Sequence, residues 1–189
     1  MATKKNIFYI FLILIAAQLY IPAQMIYKNN AVVKKGKIYK FQSRPVDPYD
    51  PFRGKYINLN YTSNLVNTYK ELPLNTDIYA TLFENKNGFA AINYLSTQKP
   101  NHENYITVKI TNQIKNNNSY KTYLEIPFNK FYMNEHKAPQ AEITYRDLSS
   151  NLQNKVYALV AVYKGDAVLK DVFVDDIAID KYQKNNNYD

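Results

Sequence analysis

The sequence predicts a β-dominated α+β fold: an antiparallel sheet, in the form of a barrel or a sandwich, with one short helix and an N-terminal transmembrane helix before it. Three observations support this fold class. Residues 7–21 read IFYIFLILIAAQLYI and carry no charge. From residue 31 onward, apolar and polar residues alternate with a period of two, as in half-buried strands. Within residues 138–153 the apolar residues follow a helical spacing instead.

The apolar segment is long enough to cross a bilayer. With residues 22–27 included it has about 20 residues, which as a helix span a hydrocarbon core of about 30 Å. Tyr20 and Tyr27 lie where an interfacial belt of aromatic side chains is expected. We therefore predict that residues 1–27 form a transmembrane anchor or an uncleaved signal.

Two other interpretations of this segment stay open. A signal peptide would be cleaved after Ala23, although Ile21 and Pro22 make a poor small-x-small cleavage site. A buried helix of a soluble domain would need a polar face, which the segment lacks. Lys4 and Lys5 favour a cytoplasmic N-terminus, and a long C-terminal domain is translocated largely regardless of its charge. We expect a single-pass protein of the cell membrane with its domain outside the cytoplasm.

Residues 28–183 are predicted to form one β-rich domain, followed by a polar tail at residues 184–189. A domain of this length buries about 70% of the surface that its unfolded chain exposes, so it can fold without covalent cross-links. The chain has no cysteine, which excludes disulfides and cysteine-ligated metal sites.

Strands and turns are expected along the whole domain. The first part, residues 31–46, reads as one or two strands around a turn at Lys35-Gly36, and residues 56–62 alternate with Ile57, Leu59 and Tyr61 on one face. Three hairpins follow, with turns at residues 85–88, 116–118 and 165–166. The predicted helix comes before the last hairpin, and its apolar stripe consists of Ala141, Tyr145 and Leu148.

The chain is basic, with a formal net charge of +8 from 24 basic and 16 acidic residues. The lysines are scattered, which favours a solvated basic face over a specific polyanion site. Tyrosine is abundant, with 19 residues. A basic, tyrosine-rich sheet face that binds nucleic acid or anionic lipid is therefore one alternative function, although core packing explains strand tyrosines better. The tyrosines in predicted strands are Tyr56, Tyr61, Tyr94, Tyr105, Tyr120, Tyr123, Tyr157 and Tyr163.

No catalytic motif is present: the sequence lacks GxGxxG, a P-loop, HExxH and GxSxG. Two histidines, His102 and His136, lie in polar stretches, and isolated histidines of this kind predict no metal site. The neighbouring carboxylates Asp175 and Asp176 are typical of turns, where they cap backbone amides rather than form a catalytic pair. An enzyme is not favoured and no cofactor is predicted, while an envelope hydrolase stays open as an alternative.

One stretch, PVDPYDPFRGKYINLNY at residues 45–61, has unusual turn chemistry. Asp47 and Asp50 can accept hydrogen bonds from turn amides or from Arg53, and Gly54 can adopt a positive φ before the strand. The stretch reads as a stiff structural corner that fixes the register of the strand. A surface for a ligand or partner is the alternative.

This stretch resembles the signature of a bacterial membrane-anchored family, named GDYXXLXY after its G-D-Y-x-x-L-x-Y motif. The departures are Tyr49, where the family has arginine, and Lys55, which replaces the signature aspartate and reverses its charge. A second similarity is an aromatic segment that ends at Glu135, followed by a short helix and a closing hairpin. The matching residues of the signature stretch are Pro45, Asp47, Pro48, Asp50, Arg53, Gly54, Tyr56, Leu59 and Tyr61.

The resemblance implies a single-pass membrane anchor and a polytopic membrane protein as partner, because members are often encoded near such proteins. It implies no activity, substrate or cofactor, and nucleic acid is not expected as a partner. We therefore predict a β-rich domain that binds an envelope or membrane protein. The predicted binding residues are Asp47, Asp50, Arg53, Tyr56 and Glu135.

Overall fold

The computed structural model describes residues 4–44, 56–132, 141, 145 and 155–181. Within these residues the chain forms one long helix, one short 3-10 helix (Thr62–Asn64) and twelve strands. The helix is α1 (Lys4–Lys35), and the strands are β1 (Lys37–Arg44), β2 (Tyr56–Asn58), β3 (Asn60–Tyr61), β4 (Leu65–Thr68), β5 (Asp77–Glu84), β6 (Ala90–Ser96), β7 (Tyr105–Asn116), β8 (Ser119–Glu125), β9 (Lys130–Tyr132), β10 (Val156–Tyr163), β11 (Asp166–Val174) and β12 (Ile177–Ala178).

The N-terminal helix is confirmed, and it is long and apolar enough to cross a membrane. The most apolar 18-residue window within its segment Phe8–Lys35 has a mean hydropathy of 1.8, and none of that window is buried against the domain. The expectation of a strand at residues 31–35 is wrong, because α1 continues through these residues to Lys35. The Gly36 N–H donates to the Val32 carbonyl at 2.8 Å and so closes the last turn of the helix.

The last turns of α1 pack directly against the domain. Val32 is 1% exposed, and α1 contacts β10 and β11. Lys28 Nζ lies 2.8 Å from a carboxylate oxygen of Asp166, which begins β11. A Cβ atom at Gly36 would lie 2.4 Å from the Val32 carbonyl and 3.0 Å from that of Val162. Helix and domain therefore meet without a spacer and in close van der Waals contact.

The strands form two five-stranded antiparallel sheets and one two-stranded ribbon. The sheet orders are β12-β11-β10-β1-β3 and β4-β8-β7-β5-β6, and the ribbon is β2-β9. The sheets meet where the Thr107 N–H donates to the Gly165 carbonyl at 3.0 Å and the Gly165 N–H donates to that of Tyr105 at 3.2 Å. Together they make a nearly closed, barrel-like structure around one core. The predicted β-dominated antiparallel fold is confirmed.

The three predicted hairpins are present, and residues with positive φ form their turns. These residues are Gly88 (φ 77°) after β5, Asn117 (φ 51°) after β7, and Lys164 (φ 51°) with Gly165 (φ 95°) after β10. Such conformations suit glycine and asparagine, so the turn residues set where each hairpin reverses.

The predicted helix between β9 and β10 is described at two positions. Ala141 and Tyr145 are both helical and buried, as the predicted apolar stripe requires. The third residue of the stripe, Leu148, lies outside the described residues, as does the predicted tail at residues 184–189.

Candidate partner-binding site

The structure describes one of the five residues predicted to bind a partner. Tyr56 begins β2, whereas Asp47, Asp50, Arg53 and Glu135 lie outside the described residues. The described chain nevertheless shows how the segments that carry them are anchored. Residues 45–55 connect the end of β1 to the start of β2, and residue 133 follows the end of β9.

The ribbon β2-β9 brings two sequence-distant tyrosines together. Its register pairs Tyr56 with Tyr132, and their rings lie 5.4 Å apart between centroids in a tilted arrangement. Lys130 Nζ lies 5.1 Å from the centroid of the Tyr56 ring, which is within the range of a cation–π contact. Tyr132 is 67% exposed. We call Tyr56, Lys130 and Tyr132 the ribbon patch.

The ribbon patch also relates the two segments that carry the other predicted residues. Because Tyr56 and Tyr132 are paired, residue 55 precedes and residue 133 follows the same end of the ribbon. The signature segment and the segment with Glu135 therefore join the fold side by side. Sequence analysis did not identify Lys130 and Tyr132 as site residues. The available signal was the alternation around the apolar Phe131, which is half-buried while its two neighbours face outward.

Below the ribbon patch, the signature residues turn into the core. Leu59 and Tyr61 are buried, as the alternation predicts. The Tyr61 ring packs edge-on against Phe41 and lies 5.5 Å from Phe128, whose carbonyl accepts a 2.9 Å hydrogen bond from the Tyr61 hydroxyl. The leucine and second tyrosine of the signature are thus structural, while its first tyrosine lies at the surface.

The chemistry of Tyr61 follows from its burial. Loss of hydration raises the pKa of the Tyr61 phenol, since the charged phenolate has no solvent there. The hydroxyl therefore remains a donor at neutral pH. Because its pKa is raised on folding, its contribution to stability is present below about pH 10 and is lost as the pH rises further.

The other end of the signature segment is held by hydrogen bonds at the end of β1. Ser43 and Arg44 pair with Tyr61 and Asn60 of β3. The Ser43 hydroxyl donates to the Asn60 carbonyl at 3.2 Å and also forms a hydrogen bond with the Tyr145 hydroxyl. Burial raises the pKa of the Tyr145 phenol. Both strand ends that flank residues 45–55 are therefore fixed in position.

The family model described as GDYXXLXY protein matches residues 18–172 of the chain. The chain belongs to the GDYXXLXY family. The match begins within α1 and ends within β11, so the family unit includes both the apolar helix and most of the domain. No curated protein and no solved structure matches the chain significantly.

The neighbouring carboxylates of this GDYXXLXY protein do not converge. Asp175 accepts a hydrogen bond from the Lys155 N–H at 2.8 Å, whereas Asp176 accepts one from the Tyr157 hydroxyl at 2.5 Å. That hydrogen bond lowers the pKa of Asp176, with Lys40 at 3.8 Å contributing, and burial raises the pKa of Tyr157. The two carboxylates hold a backbone amide and a phenol, as turn residues are expected to do.

The strand tyrosines of the GDYXXLXY domain are distributed over several surfaces. All eight lie in strands, as expected. Tyr61, Tyr105 and Tyr157 are buried, while Tyr94 and Tyr123 are exposed. Of the buried tyrosines, Tyr61 belongs to the core cluster. Tyr157 packs against Phe89 and Phe173 outside it, and the His102 ring lies 6.1 Å from that of Tyr105. Among the described residues no three of His, Asp and Glu form a cluster that could hold a metal; His136 lies outside this part of the chain.

Proposed function

We propose that this chain is a single-pass membrane protein whose β-rich domain lies outside the cytoplasm and binds a membrane-protein partner. The ribbon patch carries the proposal. It places an exposed tyrosine and a lysine at the point where the segments with Asp47, Asp50, Arg53 and Glu135 join the fold. No catalytic step is part of the proposal.

The composition of the ribbon patch supports a protein partner. Tyrosine, which supplies two of the three residues of the patch, is enriched at protein interfaces because it combines a large apolar area with a polar group. Tyr132 is packed on one side by Tyr56 and leaves its other side to solvent. Since a membrane anchor confines the domain to the same surface as other membrane proteins, the anchor raises the effective concentration of such a partner.

The proposed topology predicts the result of a protease experiment. In intact bacterial spheroplasts that express the full chain with a C-terminal tag, added protease is expected to remove the tag, because the domain would lie outside the membrane. A cytosolic marker protein is the control for intact cells. Survival of the tag beside an intact marker would place the domain in the cytoplasm and contradict the proposed topology.

Replacing Tyr132 by alanine is expected to reduce partner recovery about tenfold or more, as is typical when a central interface aromatic is lost. The measurement uses a photo-crosslinking residue at position 132 in the full chain in membranes. It identifies the partner as a discrete cross-linked product, and co-purification of that partner with the tagged chain is then compared between the Tyr132→Ala variant and wild type, both without the cross-linker. Arg53→Ala is expected to act in the same direction.

Tyr69 provides the matched control for the ribbon patch. It is a tyrosine that is 88% exposed and lies outside the ribbon, just after β4. A cross-linker at position 69 should give no such product, and Tyr69→Ala should recover the partner like wild type. Equal recovery with Tyr132→Ala and Tyr69→Ala would exclude the ribbon patch as the interface.

A further inference from the structure

A cavity of about 550 Å³ lies between α1 and one side of the domain. Met25, Lys28 and Asn29 of α1 form one wall. The opposite wall contains the start of β5, the middle of β7 and the end of β8. The helix wall therefore has one apolar side chain, Met25, beside two polar ones, and the sheet wall includes the charged residues Asp77, Lys109 and Glu125.

The position of the cavity along α1 places it at the depth of lipid headgroups. This inference rests on the membrane span in the proposed function. A hydrocarbon core of about 30 Å takes about 20 helical residues, so a span that starts at Ile7 ends near Ile26. The headgroup layer on each side is about 5–8 Å thick. Lys28 and Asn29, which follow directly, fall within that layer.

Contacts around the cavity keep its walls apart at a fixed distance. The ion pair between Lys28 and Asp166, at 2.8 Å, joins the helix to the turn of the β10-β11 hairpin. Val32 is buried one turn further along α1, and Gly36 fits the junction so closely that no side chain has room there. The helix cannot swing toward the sheet to fill the space without breaking these contacts.

The sheet wall presents a lysine between two carboxylates. Lys109 on β7 pairs in register with Asp77 on β5 and with Glu125 on β8, so the three residues form a row across the sheet. Neighbouring strands are about 4.8 Å apart. All three side chains are exposed, and none of them forms an ion pair in the part of the chain that the structure describes. Their charges are therefore available to a ligand.

We propose that this cavity binds a phospholipid with a primary-amine headgroup, of the phosphatidylethanolamine class. Its phosphate lies against Lys109, and its ammonium group, about one strand spacing away, donates hydrogen bonds to Asp77 or Glu125. The acyl chains follow the exposed apolar surface of α1 at Ile21 and Met25. A zwitterionic headgroup fits the charges of this row, because a headgroup with only negative charge would be repelled by the two carboxylates. Phosphatidylcholine is also zwitterionic, but its choline group cannot donate hydrogen bonds to them.

The test uses the full chain reconstituted in vesicles with equal amounts of phosphatidylethanolamine, phosphatidylcholine and phosphatidylglycerol. After release into mild detergent, native mass spectrometry measures which lipid the protein retains. We expect wild type to retain phosphatidylethanolamine. Lys109→Glu is expected to lower that retention about tenfold, and the double variant Asp77→Asn/Glu125→Gln is expected to retain ethanolamine and choline lipids equally.

Lys115→Glu is the matched control, since Lys115 is an exposed lysine on the same strand that does not line the cavity. It should retain lipid like wild type. Thermal unfolding shows whether each variant is folded, and Lys109→Gln replaces Lys109→Glu if the charge reversal prevents folding. Equal loss with the Lys109 and Lys115 variants would overturn the site, as would a wild-type preference for phosphatidylglycerol.

Alkaline extraction of the vesicles separates failure of the lipid site from failure of the membrane anchor. A chain that stays in the vesicles at high pH but retains no lipid in detergent has an anchor without the proposed site. A chain that is released at high pH has no membrane anchor, and both the proposed membrane span and the lipid site would then be wrong.

Discussion

Tyr61→Ala is expected to lower the free energy of unfolding by about 3–5 kcal/mol, the usual cost of removing a buried aromatic ring. The ring is fully buried and packs against Phe41 and Phe128, so its loss leaves a cavity that these rigid neighbours cannot fill. Denaturant unfolding of the full chain in detergent, followed by the near-UV signal of its tyrosines, measures the change.

Tyr61→Phe separates packing from hydrogen bonding at the same position. This variant keeps the ring but removes the hydroxyl that donates to the Phe128 carbonyl at 2.9 Å. Because the buried carbonyl then has no donor, the free energy of unfolding is expected to fall by about 1–3 kcal/mol. Tyr123, an exposed tyrosine on β8, serves as the control, and Tyr123→Ala should cost much less. If Tyr61→Ala and Tyr123→Ala are equally stable, Tyr61 is not the packing residue described above.

Gly165→Ala is expected to destabilise the domain by about 2–5 kcal/mol, from backbone strain together with overpacking. Gly165 has a φ of 95°, which alanine adopts only with strain, and its Cβ would lie 2.7 Å from the Tyr105 ring. Tyr105 is 1% exposed and cannot move aside. The same glycine forms the hydrogen bonds that join the two sheets, so the junction of the barrel would open. The same unfolding measurement gives the change.

Gly88→Ala is the matched control for this effect. Gly88 also has a positive φ, of 77°, but a Cβ there would meet nothing within 4 Å. Only backbone strain of about 1 kcal/mol is expected. A loss of stability as large as that of Gly165→Ala would mean that the clash with Tyr105 contributes nothing.

The hairpins and the inward face of the signature were predictable, because both depend on residues close in sequence. Alternation alone places Leu59 and Tyr61 in the core, and turn-forming residues mark the reversals after β5, β7 and β10. The end of α1 was misread for a physical reason. Ala31-Val32-Val33 resembles a strand because valine is β-branched, but packing of Val32 on the sheet outweighs that local preference.

The features that depend on distant residues could not be predicted. The pairing of Tyr56 with Tyr132 requires the ribbon, which forms between strands that are far apart in the chain. The row Asp77-Lys109-Glu125 likewise exists only once three strands are in register. Whether α1 lies beside this row depends on the direction in which the helix leaves the domain. Periodicity shows which way a side chain points, but it does not identify the strand beside it.

The absence of a spacer at Gly36 limits where the domain can reach. In the proposed span, residues 28–35 continue α1 for about 12 Å beyond the hydrocarbon, and the domain packs beside this part of the helix, so its base lies at the depth of the headgroups. A flexible linker would let the domain explore a hemisphere, whereas a helix packed on its own domain holds the domain at one height and one orientation relative to its axis. Under the proposed function, partners that act through the ribbon patch must therefore present their own surface at that height, and a shift in the tilt of α1 would move the patch with it.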